Sequence, residues 1–139
     1  MADRIVTVQT APLGAHAQTI DVAGHQLFAD EPLDLGGDDT GPTPIELVLA
    51  ALGACTSMTM KMYATRKDIP MTGADVRLTG KRTPEGFVVE RSICLQGKLT
   101  DEQTAKLLEI ADKCPVHRVL TGDVKVNTQL VASGPVGCD

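Results

Sequence analysis

Cys114 stands in a pattern that can support thiol chemistry. It lies in the run 111–118, ADKCPVHR, which predicts the N-cap of a short helix with Pro115 at its first position. Unpaired backbone N–H groups at such a helix start favour the thiolate, which is the nucleophilic form of cysteine. His117 and Arg118 follow within one turn. Taken alone, the same pattern also fits a small buried capping residue that does no chemistry.

A second cysteine, Cys55, lies inside the run 43–66, TPIELVLAALGACTSMTMKMYATR. A hydroxyl N-cap, a proline at the first helical position and Glu46 at the capping-box position predict that a helix begins at Pro44. The helix face that carries Cys55 also presents four apolar or small residues, namely Ala51, Met58, Thr59 and Met62. A thiol in the middle of a helix stays inert unless another segment brings a cation to it.

This predicted helix is apolar on all sides. Between Ile45 and Ala64 its only charges are Glu46 and Lys61, which is typical of a helix enclosed by other elements. A membrane span needs roughly 20 apolar residues, and polar residues from Thr56 onward interrupt this run. We therefore predict a long buried central helix and no membrane span. Aromatic residues are only 2% of the 139 residues, so one chain is poorly equipped to bury this helix alone, which favours a homodimer.

Alternation and turn signals predict the remaining elements. Strands are predicted at 4–10, 15–22, 25–29, 74–83, 87–99 and 123–132, a solvated loop at 30–44, a helix after the cap Thr100, and a loose tail at 133–139. The acidic loop lacks the alternating ligands of a calcium-binding EF-hand loop. Because the chain shows no repeat and no linker, this order indicates a single α+β domain over residues 1–139 with mainly antiparallel sheet.

Composition narrows the function. The net charge of -5 argues against nucleic acid, which requires clustered Lys and Arg, and no basic segment suits an anionic membrane surface. The first residues contain no apolar signal-peptide core, so we expect a cytoplasmic protein. In that reducing compartment, the four irregularly spaced cysteines are expected to be free or redox-active thiols.

Two motifs together resemble the OsmC/Ohr family of osmotically inducible and organic hydroperoxide resistance proteins. The first, within residues 30–56, contains DEP, GG, GP-x-P-x-E-L and AALGACT, and the second is ADKCPVHR. The resemblance implies the OsmC-like fold, an intertwined homodimer in which antiparallel sheets from both chains wrap the two central helices. It also implies that Cys55 is the peroxidatic nucleophile and Cys114 the resolving cysteine.

The implied function is antioxidant, peroxiredoxin-type peroxidase chemistry in an oxidative stress response. An organic hydroperoxide oxidises Cys55 to a sulfenic acid, Cys114 condenses with it to a disulfide, and an external dithiol reopens that bond. The family suggests a lipoyl protein as a candidate reductant. A methionine-lined apolar pocket would favour alkyl or lipid hydroperoxides. The implied chemistry needs no cofactor and no metal.

The chain departs from the family in the groups that activate the thiolate. The resemblance implies a glutamate ten residues before the peroxidatic cysteine and an arginine in the N-terminal strands, whereas position 45 is Ile and residues 6–30 contain no arginine. Glu46 lies roughly opposite Cys55 on the helix and suits the capping box. The candidate activating groups are therefore Arg118 and His117, and after them His25 and Glu46.

Two other functions fit these residues. Cys55, Cys114 and His117 are soft and borderline ligands that, with water, can bind zinc. Alternatively, a chain that keeps the thiols and lacks the usual activating pair serves as a slow redox sensor or as a carrier of a small thiol-reactive ligand. The rate at which Cys55 sulfenic acid forms would separate a sensor from a peroxidase.

Overall fold

A computed structural model describes residues 4–132. The tail predicted at 133–139, including Cys138, lies outside the described residues. The described chain divides into two compact units, one of residues 4–47 and 126–132 and the other of residues 48–125. Each unit is described by itself below.

The first unit contains an antiparallel three-stranded meander. Its strands are β1, Val6–Thr10; β2, Gln18–Val22; and β3, His25–Ala29. Ile20 on the central strand lies between Val8 and Leu27. Ala23 and Gly24 connect β2 to β3 with φ values of 50° and 85°, the left-handed pair that matches the twist of a tight hairpin. The three predicted strands are therefore confirmed, with later starts for β1 and β2.

The loop of residues 30–40, the Asp30 loop, is ordered around one carboxylate. Asp30 is 2% exposed and accepts a hydrogen bond of 2.6 Å from the Thr40 hydroxyl. Backbone N–H groups of Glu31, Asp38 and Thr40 donate to the same carboxylate at 2.7, 3.3 and 3.1 Å. The Thr40 hydroxyl and these N–H groups lower the pKa of Asp30 to about 2, against the opposing effect of burial. The loop also contains a short 3-10 helix, Leu33–Leu35, which the sequence did not predict.

Helix α1, Pro44–Arg66, begins where the sequence predicts. The Glu46 N–H donates to the Thr43 hydroxyl at 3.1 Å, and the Thr43 N–H donates to the Glu46 carboxylate at 2.9 Å. This capping box is the one expected from the run 43–66. The helix ends before Asp68, which has a φ of 55°, and Pro70 prevents its continuation.

The second unit contains most of α1, a β-hairpin and two shorter helices. These are β4, Met71–Thr83; β5, Gly86–Gly97; α2, Asp101–Ala111; and α3, Pro115–Thr121. Thr100 caps α2 with the predicted capping box to Gln103, and Cys114 caps α3. The core of this unit is formed by Met60, Ala64, Met71, Leu107, Ile110 and Ala111. The hairpin and both helices are as the sequence predicts.

Gly53 allows the hairpin to approach α1 closely. A Cβ atom at this position would lie only 2.8 Å from Cδ1 of Leu78 on β4. Leu78 is in turn the cross-strand partner of Arg91 on β5. The missing side chain therefore brings this part of the hairpin near the middle of the helix.

In the single chain, α1 buries one stripe rather than its whole circumference. The buried residues are Leu52, Gly53, Thr56, Met60 and Ala64. Met58 and Met62, on another face, are 63% and 65% exposed. The complete enclosure predicted from the composition would need a second chain. By length and composition alone, α1 is long and apolar enough to cross a membrane. The core helices of water-soluble proteins also meet this criterion.

The prediction of a strand at 123–132 is wrong. This segment has no regular secondary structure, although its apolar residues alternate. Val126 and Leu130 are 82% and 98% exposed. A strand is stabilised by ladder hydrogen bonds to a neighbour, and alternation by itself supplies no such neighbour.

Candidate active site

The two cysteines of interest lie together at the first turn of α3. The His117 N–H donates to Sγ of Cys114 at 3.3 Å, and the adjacent Val116 N–H donates to Sγ of Cys55 at 3.5 Å. Cys114 is fully buried and Cys55 is partly buried. Two cysteines far apart in the sequence thus accept hydrogen bonds from the backbone amides of consecutive residues.

Local structure explains how Cys114 reaches this place. Ile110 and Ala111 anchor the end of α2 in the core, and the Lys113 N–H donates back to the Ile110 carbonyl at 2.9 Å. The following Cys114-Pro115 step starts α3, since proline has no N–H to satisfy at the first helical position. Its N-cap thiol then accepts the His117 N–H in the way that a serine or threonine cap accepts one.

Cys55 is held from the other side by α1 itself. Its Sγ lies 3.9 Å from the hydroxyl of Thr59, one turn further along the helix. Within residues 4–132, the hydrogen-bond partners of Cys55 Sγ are this hydroxyl and the Val116 N–H. Both partners of this sulfur are therefore neutral groups. Cys55, Cys94 and Cys114 are all free thiols, which is the reduced state.

A chain of polar side chains runs beside the thiols, and we call it the Arg91 network: Thr56, Arg91, Asp112 and His117. Arg91 Nη1 donates to the Thr56 hydroxyl at 3.0 Å, and Nη2 donates to Asp112 Oδ1 at 2.7 Å. The same carboxylate oxygen lies 3.9 Å from His117 Nδ1. The Arg91 side chain is only 13% exposed, so these contacts replace much of its hydration.

Arg91 was not predicted as a site residue, although the sequence contains a signal for it. On β5, Arg91 falls in the same alternating register as Val89 and Ile93, and all three are partly buried. An arginine in the apolar register of a strand must find hydrogen-bond acceptors inside. That requirement marks it as a structural or functional residue rather than a solvated surface charge.

The predicted activating residues differ in placement. His117 lies in the network, with a side chain 28% exposed. Arg118 is exposed, and its side chain makes no hydrogen bond or ion pair to any residue between 4 and 132. His25 is exposed at the start of β3, and the Glu46 carboxylate serves the capping box. Both of these belong to the first unit.

A cavity of about 610 Å³ borders the Arg91 network. Arg91 and His117 line it together with mainly apolar side chains, which are Val48, Leu52, Phe87, Val89, Glu90, Leu120 and Thr121. Leu52 accepts the Thr56 hydroxyl through its carbonyl at 2.7 Å. The cavity therefore combines apolar walls with a few polar groups, as small-molecule sites do.

Metal binding finds no support in the described part of the chain. Among residues 4–132, no three His, Cys, Asp or Glu side chains form a group that could hold a metal ion. Cys55, Cys114 and His117, the zinc ligands considered from the sequence, do not form such a group.

Fold and site together define an α+β protein with two free cysteines, one inside α1 and one at the N-cap of α3, whose sulfurs both accept backbone N–H groups from the first turn of α3. A family model described as OsmC-like protein matches residues 36–129. The chain belongs to this OsmC-like family, since the match covers more than half of its length. The predicted resemblance and the predicted α+β, OsmC-like fold are thereby confirmed. No curated protein sequence matches the chain significantly.

Solved structures with the same fold include proteins of different bacteria. The OsmC-like protein from Mycoplasma pneumoniae has a TM-score of 0.74 and 18% identity, covering 87% of this chain and 89% of that chain. The organic hydroperoxide resistance protein OsmC from Legionella pneumophila has a TM-score of 0.65 and 20% identity, covering 88% and 91%. The organic hydroperoxide resistance protein OhrB of Bacillus subtilis has a TM-score of 0.61 and 20% identity, covering 88% and 93%. At these identities the likeness is one of fold.

Proposed function

We propose that this protein is a thiol-dependent peroxidase that reduces organic hydroperoxides through Cys55 and Cys114. One observation carries the proposal: the two sulfurs accept hydrogen bonds from consecutive amides, those of Val116 and His117. A nucleophilic thiol and a resolving thiol must lie near each other to form a disulfide, and donors from adjacent residues support that proximity. The names of the Legionella and Bacillus relatives point to the same chemistry.

In the first step, the Cys55 thiolate attacks the terminal oxygen of the hydroperoxide. The S–O bond forms as the O–O bond breaks, and the leaving alkoxide takes up a proton and departs as the alcohol. Cys55 is oxidised by two electrons to the sulfenic acid. The Val116 N–H donates a hydrogen bond to the attacking sulfur.

In the second step, the Cys114 thiol attacks the Cys55 sulfenic sulfur. A disulfide forms and the sulfenic oxygen leaves as water. An external dithiol then reduces this bond by two thiol–disulfide exchanges and becomes a disulfide itself. A protein-bound lipoyl group is one dithiol of the required type.

The substrate class follows from the cavity beside the Arg91 network. Its walls are mostly apolar and its volume is about 610 Å³. An alkyl or lipid chain gains from burial against such walls, whereas hydrogen peroxide has no apolar part to bury. We therefore assign organic hydroperoxides rather than hydrogen peroxide.

The assembly that we assign is a cytoplasmic homodimer. The methionine-bearing face of α1, with Met58 and Met62 more than half exposed, is covered by a second copy in this proposal. Light scattering of the purified protein should give twice the monomer mass of 14.7 kDa. A monomer at micromolar concentration would reject the dimer.

Turnover of tert-butyl hydroperoxide or cumene hydroperoxide with dithiothreitol tests the activity. Cys55→Ser should abolish it, and Cys114→Ser should allow sulfenic acid to form and prevent the disulfide. Cys94→Ser is the matched control, because Cys94 is an exposed free thiol on β5, and it should retain wild-type turnover. Full turnover in Cys55→Ser would reject the proposal.

A slow redox sensor is the second candidate, and one observation favours it. Cys55 Sγ has neutral hydrogen-bond donors and no cationic partner among residues 4–132. A thiolate without a nearby cation reacts more slowly than one with such a partner. Stopped-flow measurement of sulfenic acid formation separates the two: a rate close to that of a free thiol indicates the sensor, and a rate far above it the peroxidase.

A further inference from the structure

Arg91 connects the two segments that carry the thiols. Its two terminal nitrogens donate to different elements, one to Thr56 on α1 at 3.0 Å and one to Asp112 after α2 at 2.7 Å. The planar guanidinium holds these two donors in a fixed fork. The Arg91 side chain is 13% exposed, and its contact to the fully buried Thr56 is shielded from water, whereas Asp112 at the other end is 67% exposed.

On α1, the Arg91 guanidinium contacts Thr56, the residue next to Cys55. Thr56 is fully buried, and its hydroxyl donates to the Leu52 carbonyl at 2.7 Å. Because its proton is committed to that carbonyl, the hydroxyl oxygen presents a lone pair to Arg91. The contact therefore fixes the rotation of α1 at Cys55.

At the other end, the fork reaches the segment that carries Cys114. Asp112 stands two residues before Cys114, and its Oδ1 also lies 3.9 Å from His117 Nδ1. The backbone N–H of His117 donates to Cys114 Sγ. Arg91 thus holds the approach to the Cys114 cap through Asp112.

We propose that Arg91 is a positioning residue that aligns Cys55 with Cys114 for disulfide closure. This inference rests on the proposed function for its biological role and on the geometry above for its mechanism. Arg91 hydrogen-bonds to neither sulfur in the described residues, so it acts through Thr56 and Asp112. Misplacement of reacting atoms by about 1 Å can cost on the order of 100-fold in rate, so closure should be the step that suffers when the fork is lost.

A single-turnover experiment with one equivalent of tert-butyl hydroperoxide tests this. Sulfenic acid is trapped with a dimedone reagent, and disulfide closure is followed by mass. In Arg91→Met, disulfide closure should slow by about 10-fold or more, and by a clearly larger factor than sulfenic acid formation, since Arg91 also lines the cavity. Arg91→Lys keeps the charge and loses the fork, so it should resemble Arg91→Met in closure.

Two further variants keep the test falsifiable. Arg77→Met removes an exposed arginine from the same hairpin and should leave both steps unchanged. Asp112→Ala removes one end of the fork at a carboxylate that is 67% exposed, where folding is little affected, and it should slow closure by several-fold. Closure at the wild-type rate in Asp112→Ala and Arg91→Lys would overturn the inference, as would equal slowing in Arg77→Met.

A second measurement separates this inference from the peroxidase assignment. One cysteine attacks oxidised glutathione, breaking its S–S bond, forming a mixed disulfide and releasing one glutathione thiolate. Attack by the other cysteine then closes the protein disulfide and releases the second glutathione thiolate. The equilibrium gives the effective concentration of one thiol toward the other without any hydroperoxide. We expect about a 10-fold lower value in Arg91→Met than in Arg77→Met. Wild type that closes with glutathione and ignores hydroperoxide would reject the proposed function alone, whereas equal values in the two variants would reject the role of Arg91.

Discussion

The Asp30 loop and the Arg91 network are both polar clusters around one charged side chain, and they are built in opposite ways. Every donor to Asp30 lies within ten residues of it. The partners of Arg91 lie 35 and 21 residues away, on different elements. A local cluster is complete as soon as its loop closes. A long-range cluster forms only when α1, the hairpin and the segment after α2 are all in place. Its hydrogen bonds therefore depend on the alignment of these elements and help to maintain it.

The difference also separates the roles we assign. The Asp30 carboxylate is satisfied by four hydrogen bonds from its own loop, and nothing in its contacts involves a nucleophile. Thr56 and Asp112, the partners of Arg91, lie one and two residues from Cys55 and Cys114. We therefore interpret the Asp30 cluster as a structural element that stabilises its loop and the Arg91 network as part of the proposed reactive site. Three substitutions and one acid titration test this distinction.

Asp30→Ala should cause the largest loss of stability. It leaves a hydroxyl and three backbone N–H groups without their common acceptor, in hydrogen bonds that are partly buried. The urea midpoint measures the loss. Asp34→Ala, in the exposed 3-10 turn of the same loop, is the matched control and should be near neutral. Equal urea midpoints in the two variants would show that the Asp30 hydrogen bonds do not stabilise the protein.

Acid should remove the contribution of the same carboxylate. The pKa of Asp30 is lowered from 3.8 to about 2, so the unfolded chain binds this proton more readily than the folded chain. Its contribution is fully present above pH 3.8 and is lost as the pH falls through about 2. The difference in urea midpoint between wild type and Asp30→Asn should therefore shrink between about pH 4 and pH 2. A constant difference over that range would contradict the assignment.

Thr56→Val should cost about 1–3 kcal/mol, because it leaves a buried donor of Arg91 without its acceptor. Thr65→Val is the matched control, since the exposed Thr65 makes the same bond to a carbonyl one turn earlier, at 2.9 Å, without an arginine. The control should change the free energy of unfolding by less than about 0.5 kcal/mol. If both variants lost the same amount, the contact to Arg91 would add nothing to stability.

Lys106→Ala should have the smallest effect. Lys106 lies 3.5 Å from Glu109 on the surface of α2, with 44% and 56% of the two side chains exposed. Such pairs contribute between about 0 and 1 kcal/mol, well below the buried contact of Arg91. Thermal unfolding measures the change. A loss as large as that of Thr56→Val would remove the contrast between surface pairs and the Arg91 network.

Local signals in the sequence predict much of this fold. Thr43 and Thr100 each show a hydroxyl followed three residues later by Glu46 or Gln103, and both capping boxes are present. Cys114 caps α3 as the Cys-Pro step predicts. These features depend on contacts within one helical turn, which the order of neighbouring residues determines.

Long-range contacts account for what the sequence did not predict. The hydrogen bond between Val116 and Cys55 spans 61 residues, and only the family resemblance indicated that the two cysteines meet. Arg91 was overlooked because its acceptors, Thr56 and Asp112, belong to other elements. The segment 123–132 has the alternation of a strand, but alternation does not say whether a neighbour is available.

Gly53, in the interior of α1, lies against the hairpin at Leu78. Glycine in a helix interior costs about 1 kcal/mol relative to alanine, yet here it stands two residues before Cys55 and close to Leu78, the cross-strand partner of Arg91. An alanine would suit the isolated helix better, but its Cβ would force the Leu78 side chain to shift. Helix propensity and hairpin packing therefore favour different residues at this single position.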